Sequence, residues 1–304
     1  MGQVQPTPLV PITVTKHYQT DRQMLRSILL ESQAGKIKYG RALSSYTVST
    51  DSVTAHFDDG TSARGSLLVG ADGIRSRLAA QLTGDITTTL DLGVRIIYGK
   101  TPLTPAINQA LSPLLRHGVA FVRDDEQNIT VVLETMRFHH SEAPGDYIFW
   151  AVSTKADRLG MNDEDLLASQ GPAAAKILTS LAAEWHPGVK VLFEQQAEEQ
   201  TAVLRMTSSH PDKKVSWQTD PRVTVLGDAV HCMPPTGGQG ANAALHDAAA
   251  LGEILGHAGT EERGTGWSRE TIERYEALMR WNVGDVVGLA CIAASKMFGA
   301  RLYD

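Results

Sequence analysis

A mixed α/β fold is predicted by three observations along the 304-residue chain. Residues 222–226 (RVTVL) form a short aliphatic, β-branched run of the kind found in a buried parallel strand. Gly227-Asp228 ends that run, and Pro234-Pro235-Thr236-Gly237-Gly238 breaks any regular structure. From Gln239 onward, Ala241, Ala244, Leu245, Ala248, Leu251 and Leu255 recur at helical spacing. The result is a strand, a glycine-rich loop and a helix. Such a junction aims backbone N–H groups and the positive end of a helix dipole at whatever lies above the loop.

Taken in order, residues 1–16 are Pro-rich and mildly β-like. Asp21 reads as the first residue of a helix whose apolar face is Met24, Leu25, Ile28 and Leu29, ending near Gly35. Residues 46–57 alternate, and Asp59-Gly60 is a turn signal, so a β-meander leads into a buried strand over 66–70. Asp72-Gly73 then opens a helix at Ser76, where an Asp reads first as an N-cap. Residues 92–98 are a strand, followed by a loop holding Pro102 and Pro105. Arg95 on that strand suits either an acidic substrate or the guarding of a sheet edge. Three further strands are predicted over 118–123, 129–137 and 147–154. The aromatic residues of this middle region (Tyr98, Phe121, Phe138, Tyr147, Phe149, Trp150) each read first as core packing. His139-His140 with Glu142 fits no ligand spacing for a metal.

Residues 162–185 are helical with a break at Gly171-Pro172, and Pro187-Gly188 ends them. A short helix over 189–196 and a returning strand over 201–206 follow, and Trp217 falls in a polar loop. A Gly-rich linker over 256–268 precedes a long helical pattern over 270–298, broken near Gly284 or Gly288.

A net charge of −6 gives no basic footprint for nucleic acid. Two cysteines far apart, Cys232 and Cys291, argue against a disulfide scaffold or a Cys-based zinc site and for a reducing, cytoplasmic setting. No apolar run approaches the length of a membrane span, and the N-terminus lacks the pattern of a signal peptide.

A phosphate is the default ligand of the central junction. The glycines, however, are not spaced as a P-loop and no Lys follows them, while Asp228 at the strand end suits hydroxyl groups better than polyphosphate. A polyol chain carrying a flat, electron-accepting ring, as in a flavin, fits both halves. The stretch GDAVHCMPPTGGQGAN resembles the second flavin-binding motif of the FAD-dependent monooxygenases of the aromatic-hydroxylase type (p-hydroxybenzoate and salicylate hydroxylase-like). RGSLLVGADGIRSR, residues 64–77, is similar to the family's Asp-Gly motif, and DRQMLRSILL, residues 21–30, to its Arg-x-x-Leu element. The resemblance covers nearly the whole chain.

The resemblance implies a Rossmann-like FAD-binding domain over residues 1–90 and 208–304, an antiparallel substrate-binding sheet over 91–207, and a C-terminal helical segment. It implies FAD contacts at Arg22, Asp72, Gly73, Gly227, Asp228, Gly238, Gly240, Ala241 and Asn242. Pro235 and Gly237 fall in the loop at the flavin ring edge, where no side-chain acid or base is assigned, and His231 reads as structural. The implied reaction is hydroxylation or epoxidation of a small aromatic or polyketide-like molecule with NAD(P)H and O₂ through a flavin C4a-hydroperoxide. The family's opening G-x-G-x-x-G turn, which holds the ADP part of FAD, has no counterpart in this sequence. The expectation is therefore an incomplete flavin site in a shortened product, a fragment or a misdrawn gene, with self-association through an exposed sheet edge. The alternative is a non-redox or inactive relative that keeps the substrate pocket without tight FAD binding.

Overall fold

A computed structural model describes residues 19–33, 35–84, 89–116, 118–138, 144–212, 216–258 and 267–302. The N-terminal Pro-rich stretch, His139-His140 with Glu142, and most of the predicted linker lie outside the described residues. Helix α1 (Arg22–Glu31) starts where predicted, with the Asp21 carboxylate accepting from the Gln23 and Met24 amides. Its apolar face is not covered, and Ile28 and Leu29 are 63 % and 53 % exposed.

The meander forms a three-stranded antiparallel sheet of β1 (Leu43–Val48), β2 (Val53–Phe57) and β3 (Ser62–Gly65). β4 (Leu68–Gly70) pairs in parallel with β10 (Val223–Val225), a pairing that only a crossover connection allows. Helix α2 (Arg77–Thr83) packs its Leu78 and Ala79 beneath this pair.

The middle of the chain is a five-stranded antiparallel sheet in the order β6-β7-β8-β5-β9. Its strands are β5 (Thr89–Pro102), β6 (Val119–Asp124), β7 (Ile129–Met136), β8 (Tyr147–Lys155) and β9 (Ala202–Ser209). Side chains alternate across the sheet. One face sends Ile97, Val131, Leu133, Ile148, Trp150, Val152 and Val203 into a core closed by α3 (Pro105–Ala110), α4 (Asp163–Ala168), α5 (Pro172–Leu181) and α6 (Pro187–Glu194). The other face is concave and bears Ile96, Tyr98, Lys100, Val132, Glu134, Met136, Tyr147, Phe149, Ala151 and Ser153.

Three expectations are corrected. Pro105 opens α3 rather than a loop, because Thr104 caps it by accepting from the Ile107 amide. Arg95 neither meets an acidic ligand nor guards an edge. β5 is interior to the sheet, and the guanidinium, 4 % exposed, donates to Asp91 and Asp163 at 2.6–2.9 Å. Burial opposes its charge, but these two carboxylates raise its pKa further. Phe121 is not core, being 52 % exposed on edge strand β6.

After β10 come the short α7 (Asp228–His231), the glycine loop, α8 (Gln239–Ala258), α9 (Arg269–Val283) and α10 (Val286–Phe298). The span from Arg269 to Phe298 is long and apolar enough, by length and composition, to cross a membrane, which the sequence reading did not foresee. It is nevertheless broken at Gly284 (φ 31°, ψ −114°), the expected place. Its Ile272, Tyr275, Met279, Cys291, Ala294 and Phe298 are buried against the rest of the chain.

Candidate functional site: the glycine loop and the sheet cavity

β10 and β4 end side by side, with the Leu226 amide donating to the Gly70 carbonyl at 3.0 Å. Asp72-Gly73 and Gly227-Asp228 therefore leave the same, carboxyl end of a parallel pair, where open α/β sheets bind their ligands. Gly227 has φ 62° and ψ −145°, a region open to glycine, and a Cβ there would come within 3.0 Å of the Ala244 methyl. Beneath the turn, the Asp247 carboxylate on α8, 1 % exposed, accepts from the Gly227 amide at 3.0 Å. The same oxygen lies 2.6 Å from His231 Nε2. His231 is thus a buried brace, as its structural reading anticipated, and it is turned away from the loop's open side. Asp228 is exposed, and no hydrogen bond of its carboxylate is recorded among the described residues.

The loop that follows is anchored from behind by Thr236, whose hydroxyl donates to the Ala290 carbonyl of α10 at 2.7 Å. Gly237 (φ 74°) and Gly238 (φ 64°) take left-handed backbone, and nothing stands closer than 3.9 Å to a Cβ built on either. The space beside them is open. The Gln239 and Asn242 side-chain amides donate to the Gly237 and Gly238 carbonyls, each at 3.0 Å, and so fix the entry into α8. The first amides of that 20-residue helix, around Gly240, Ala241 and Asn242, have no partner within the helix. A flavin fits this cradle: hydroxyls have a free carboxylate at Asp228, and an anionic ring edge has helix-start amides with no side chains in the way.

Asp72 is in part a correction. The N-cap of α2 is Ser76, whose hydroxyl accepts from the Ala79 amide at 2.9 Å. Asp72 supports that cap, accepting from the Ser76 hydroxyl and, at 3.1 Å, from the Arg77 amide. Its carboxylate is therefore already engaged within the protein.

The concave face of the large sheet encloses a cavity of about 430 Å³, within the range of ligand sites. Arg22 and Pro235 both line it, as does Phe298 of α10. Two predicted residues far apart in sequence thus line one cavity, while Asp72 and Asp228 lie at the strand ends outside it. The sequence reading missed the polar cluster at this wall. One oxygen of Asp21 caps α1; the other accepts from Lys100 Nζ at 2.6 Å and from the Tyr147 hydroxyl at 2.8 Å. Lys100 Nζ also stands 4.4 Å from the centre of the Tyr147 ring. Burial opposes the Asp21 charge, yet the Lys100 hydrogen bond, the Met24 amide and the Tyr147 hydroxyl outweigh it and hold the carboxyl at about 2. Burial, and then the bond to Asp21, push the Tyr147 hydroxyl upward, so it stays protonated at neutral pH. The available signal was the two-residue period, which puts 96, 98 and 100 on one face with 132, 134 and 136.

A glycine-loop cradle at the carboxyl end of parallel strands, opening beside a sheet-lined cavity, defines a flavoprotein that handles a small molecule. Residues 189–283 match the model of a family described as FAD binding domain. The chain is 32 % identical, over 93 % of its length, to the dual O-methyltransferase/FAD-dependent monooxygenase CTB3 of Cercospora beticola, covering 35 % of that protein. It is 35 % identical to elcB of Phaeosphaeria nodorum, which bears the same description, over 78 % of this chain and 29 % of that one. Among solved structures, a Photorhabdus luminescens chain described as an FAD containing monooxygenase superposes with a TM-score of 0.74 at 26 % identity, covering 91 % of this chain and 73 % of that one. Residues 189–283 thus match an FAD binding domain, and the chain is a homologue of proteins described as FAD-dependent monooxygenases. It spans about a third of the length of the first two relatives.

Proposed function

We propose that this chain carries the flavin half-site and substrate cavity of an FAD-dependent monooxygenase that hydroxylates or epoxidises a small aromatic or polyketide-like molecule with NAD(P)H and O₂. The supporting observation is that Pro235, in the glycine loop, is also a wall of the cavity lined by Tyr98, Tyr147 and Phe149. Cofactor loop and aromatic-lined space are contiguous. FAD, when bound, supplies the activation of O₂ and the oxygen transfer.

The remaining roles belong to the chain's own residues. Asp228 would hold the ribityl hydroxyls. The amides of Gly240, Ala241 and Asn242 favour negative charge at the ring edge. Gly237 and Gly238 permit close approach, Pro235 stiffens the loop at the ring edge, and Arg22 would reach the cofactor from the cavity wall. Asp72 and Gly73 shape the rim beside Asp228, Asp72 mainly through the α2 cap. The apolar cavity walls keep water from the reacting centre.

Visible absorbance after incubation with FAD tests this. Bound oxidised flavin, together with NAD(P)H oxidation stimulated by an aromatic ligand, is the expected result. Flavin-loaded protein whose NAD(P)H consumption no aromatic compound stimulates would sink it.

A second reading is motivated by the β4–β10 pair, whose outer edges have no strand partner among the described residues. In that reading the chain keeps the cavity without tight FAD binding, and it self-associates through those edges. A colourless sample that sediments as a monomer and binds an aromatic ligand would support the first part and refute the second.

A further inference from the structure

Lys100, Phe149 and Glu134 form one transverse row on the concave face. Phe149 is the register partner of Lys100 across β5–β8 and of Glu134 across β7–β8. A cation and a carboxylate thus flank one aromatic ring, two strand spacings or about 10 Å apart. The titratable groups lining the cavity are Asp21, Arg22, Tyr98, Lys100, Glu134 and Tyr147. Lys100 is neutralised by Asp21, and the Tyr147 hydroxyl donates its hydrogen bond to the same carboxylate. Arg22 is assigned above to the cofactor. Glu134 is different: its recorded partner is the neutral amide of Gln19, at 3.0 Å. Among the described residues, the substrate end therefore carries one carboxylate that no cation matches.

We propose that Lys100 and Glu134 determine the specificity of this cavity, selecting an uncharged hydroxylated aromatic and rejecting aromatic acids. The inference rests on the reading of the cavity as the substrate site. The ligand ring lies along Phe149. A hydroxyl at one end donates to the Glu134 carboxylate, and an oxygen at the other accepts one of the Lys100 ammonium protons that Asp21 leaves over. A carboxylate at the Glu134 end meets like charge in a partly desolvated site. At the other end it meets a lysine whose charge is already balanced.

The test is calorimetric titration of the full chain, with and without FAD, using 2,7-dihydroxynaphthalene, 2-naphthol and 6-hydroxy-2-naphthoate. The diol is expected to bind about tenfold more tightly than the acid, a difference of ~1.4 kcal/mol. Glu134→Gln keeps the length and the contact to Gln19. It is expected to bring the ratio close to one, chiefly by strengthening the acid, a gain that misfolding cannot imitate. Lys100→Met is expected to weaken the diol and 2-naphthol. Wild-type protein that prefers the acid, a Glu134→Gln ratio that does not move, or no binding of any probe at millimolar concentration overturns the proposal. Flavin uptake is scored on the same samples. A colourless protein with the expected selectivity counts against the monooxygenase reading alone, and a flavin-loaded protein without selectivity counts against this inference alone.

Discussion

The core behind the large sheet and the region beneath the glycine loop differ in what accompanies their apolar packing. Behind the sheet, Trp150 stands edge-on to Phe193 at 5.3 Å, Trp185 does the same from the far side at 5.4 Å, and aliphatic side chains fill the remaining space. Beneath the loop, an apolar cluster that includes Val223, Val225, Leu251 and Tyr275 is joined by buried carboxylates. Asp247 holds Gly227 and His231. Glu276 on α9, wholly buried, accepts from Trp217 Nε1, the Thr219 hydroxyl and the Thr224 hydroxyl at 2.8, 2.6 and 3.1 Å, with Arg280 at 3.3 Å. The difference follows from what each region must present. A sheet has side chains on both faces and can pack one while exposing the other to a ligand. A glycine loop that must let a cofactor approach has few side chains to pack, so its backbone is tied from below by hydrogen bonds.

The contrast predicts where each region fails. Trp150→Ala is expected to have the largest effect, about 4 kcal/mol of lost stability in a denaturant titration. It empties the centre of the apolar core, and it strips the Thr101 hydroxyl of the indole N–H it accepts at 2.9 Å. A loss below about 1 kcal/mol would mean that the sheet core does not rest on packing.

Glu276→Ala comes next, at about 3 kcal/mol, because it strands the buried Thr219 and Thr224 hydroxyls, the half-buried Trp217 indole N–H and the Arg280 charge. Glu276→Gln, which still accepts hydrogen bonds, is expected to recover part of that. If both variants behave alike, shape rather than hydrogen bonding holds the region beneath the loop, and the contrast collapses.

Gly227→Ala is expected to cost about 2 kcal/mol, from backbone that alanine avoids and from crowding against Ala244. Its sharper signature is local: hydrogen exchange is expected to rise at the start of α8 before it rises in β7 and β8. Uniform acceleration would show that the loop and the sheet open as one unit.

This contrast also explains how much the sequence reveals. The strand–loop–helix around Gly227 and the strands of the large sheet are legible because each is encoded locally, by periodicity and by glycine and proline. Asp21 is legible as a helix start for the same reason. Its pairing with Lys100 and Tyr147 is not, since 79 and 126 residues separate the partners. Nor is the network of Glu276, since nothing local shows that Trp217, in the loop where it was expected, meets α9. Asp72 shows the converse. Its place at the strand end was readable, but only three-dimensional geometry shows its carboxylate given to the α2 cap.

Asp21 carries the smallest predicted effect, and it tests whether the contrast is complete, because it is a carboxylate brace on the sheet's own cavity face. Its folded-state pKa of about 2 lies below the ordinary aspartate value of 3.8. A carboxyl with a depressed folded pKa adds stability above its unfolded value, and that stability is lost as pH falls through the folded one. Wild-type protein is therefore expected to exceed Asp21→Asn in denaturant midpoint at pH 6, with the gap shrinking between about pH 4 and pH 2. Other carboxylates with lowered pKa, among them Asp91 and Asp163, bend both curves, and the difference between the curves isolates Asp21. Parallel curves down to pH 2 would mean that Lys100 and Tyr147 do not favour the ionised carboxylate. The ligand-facing side of the sheet would then be held by the packing behind it alone, with no need of the polar ties that the loop requires.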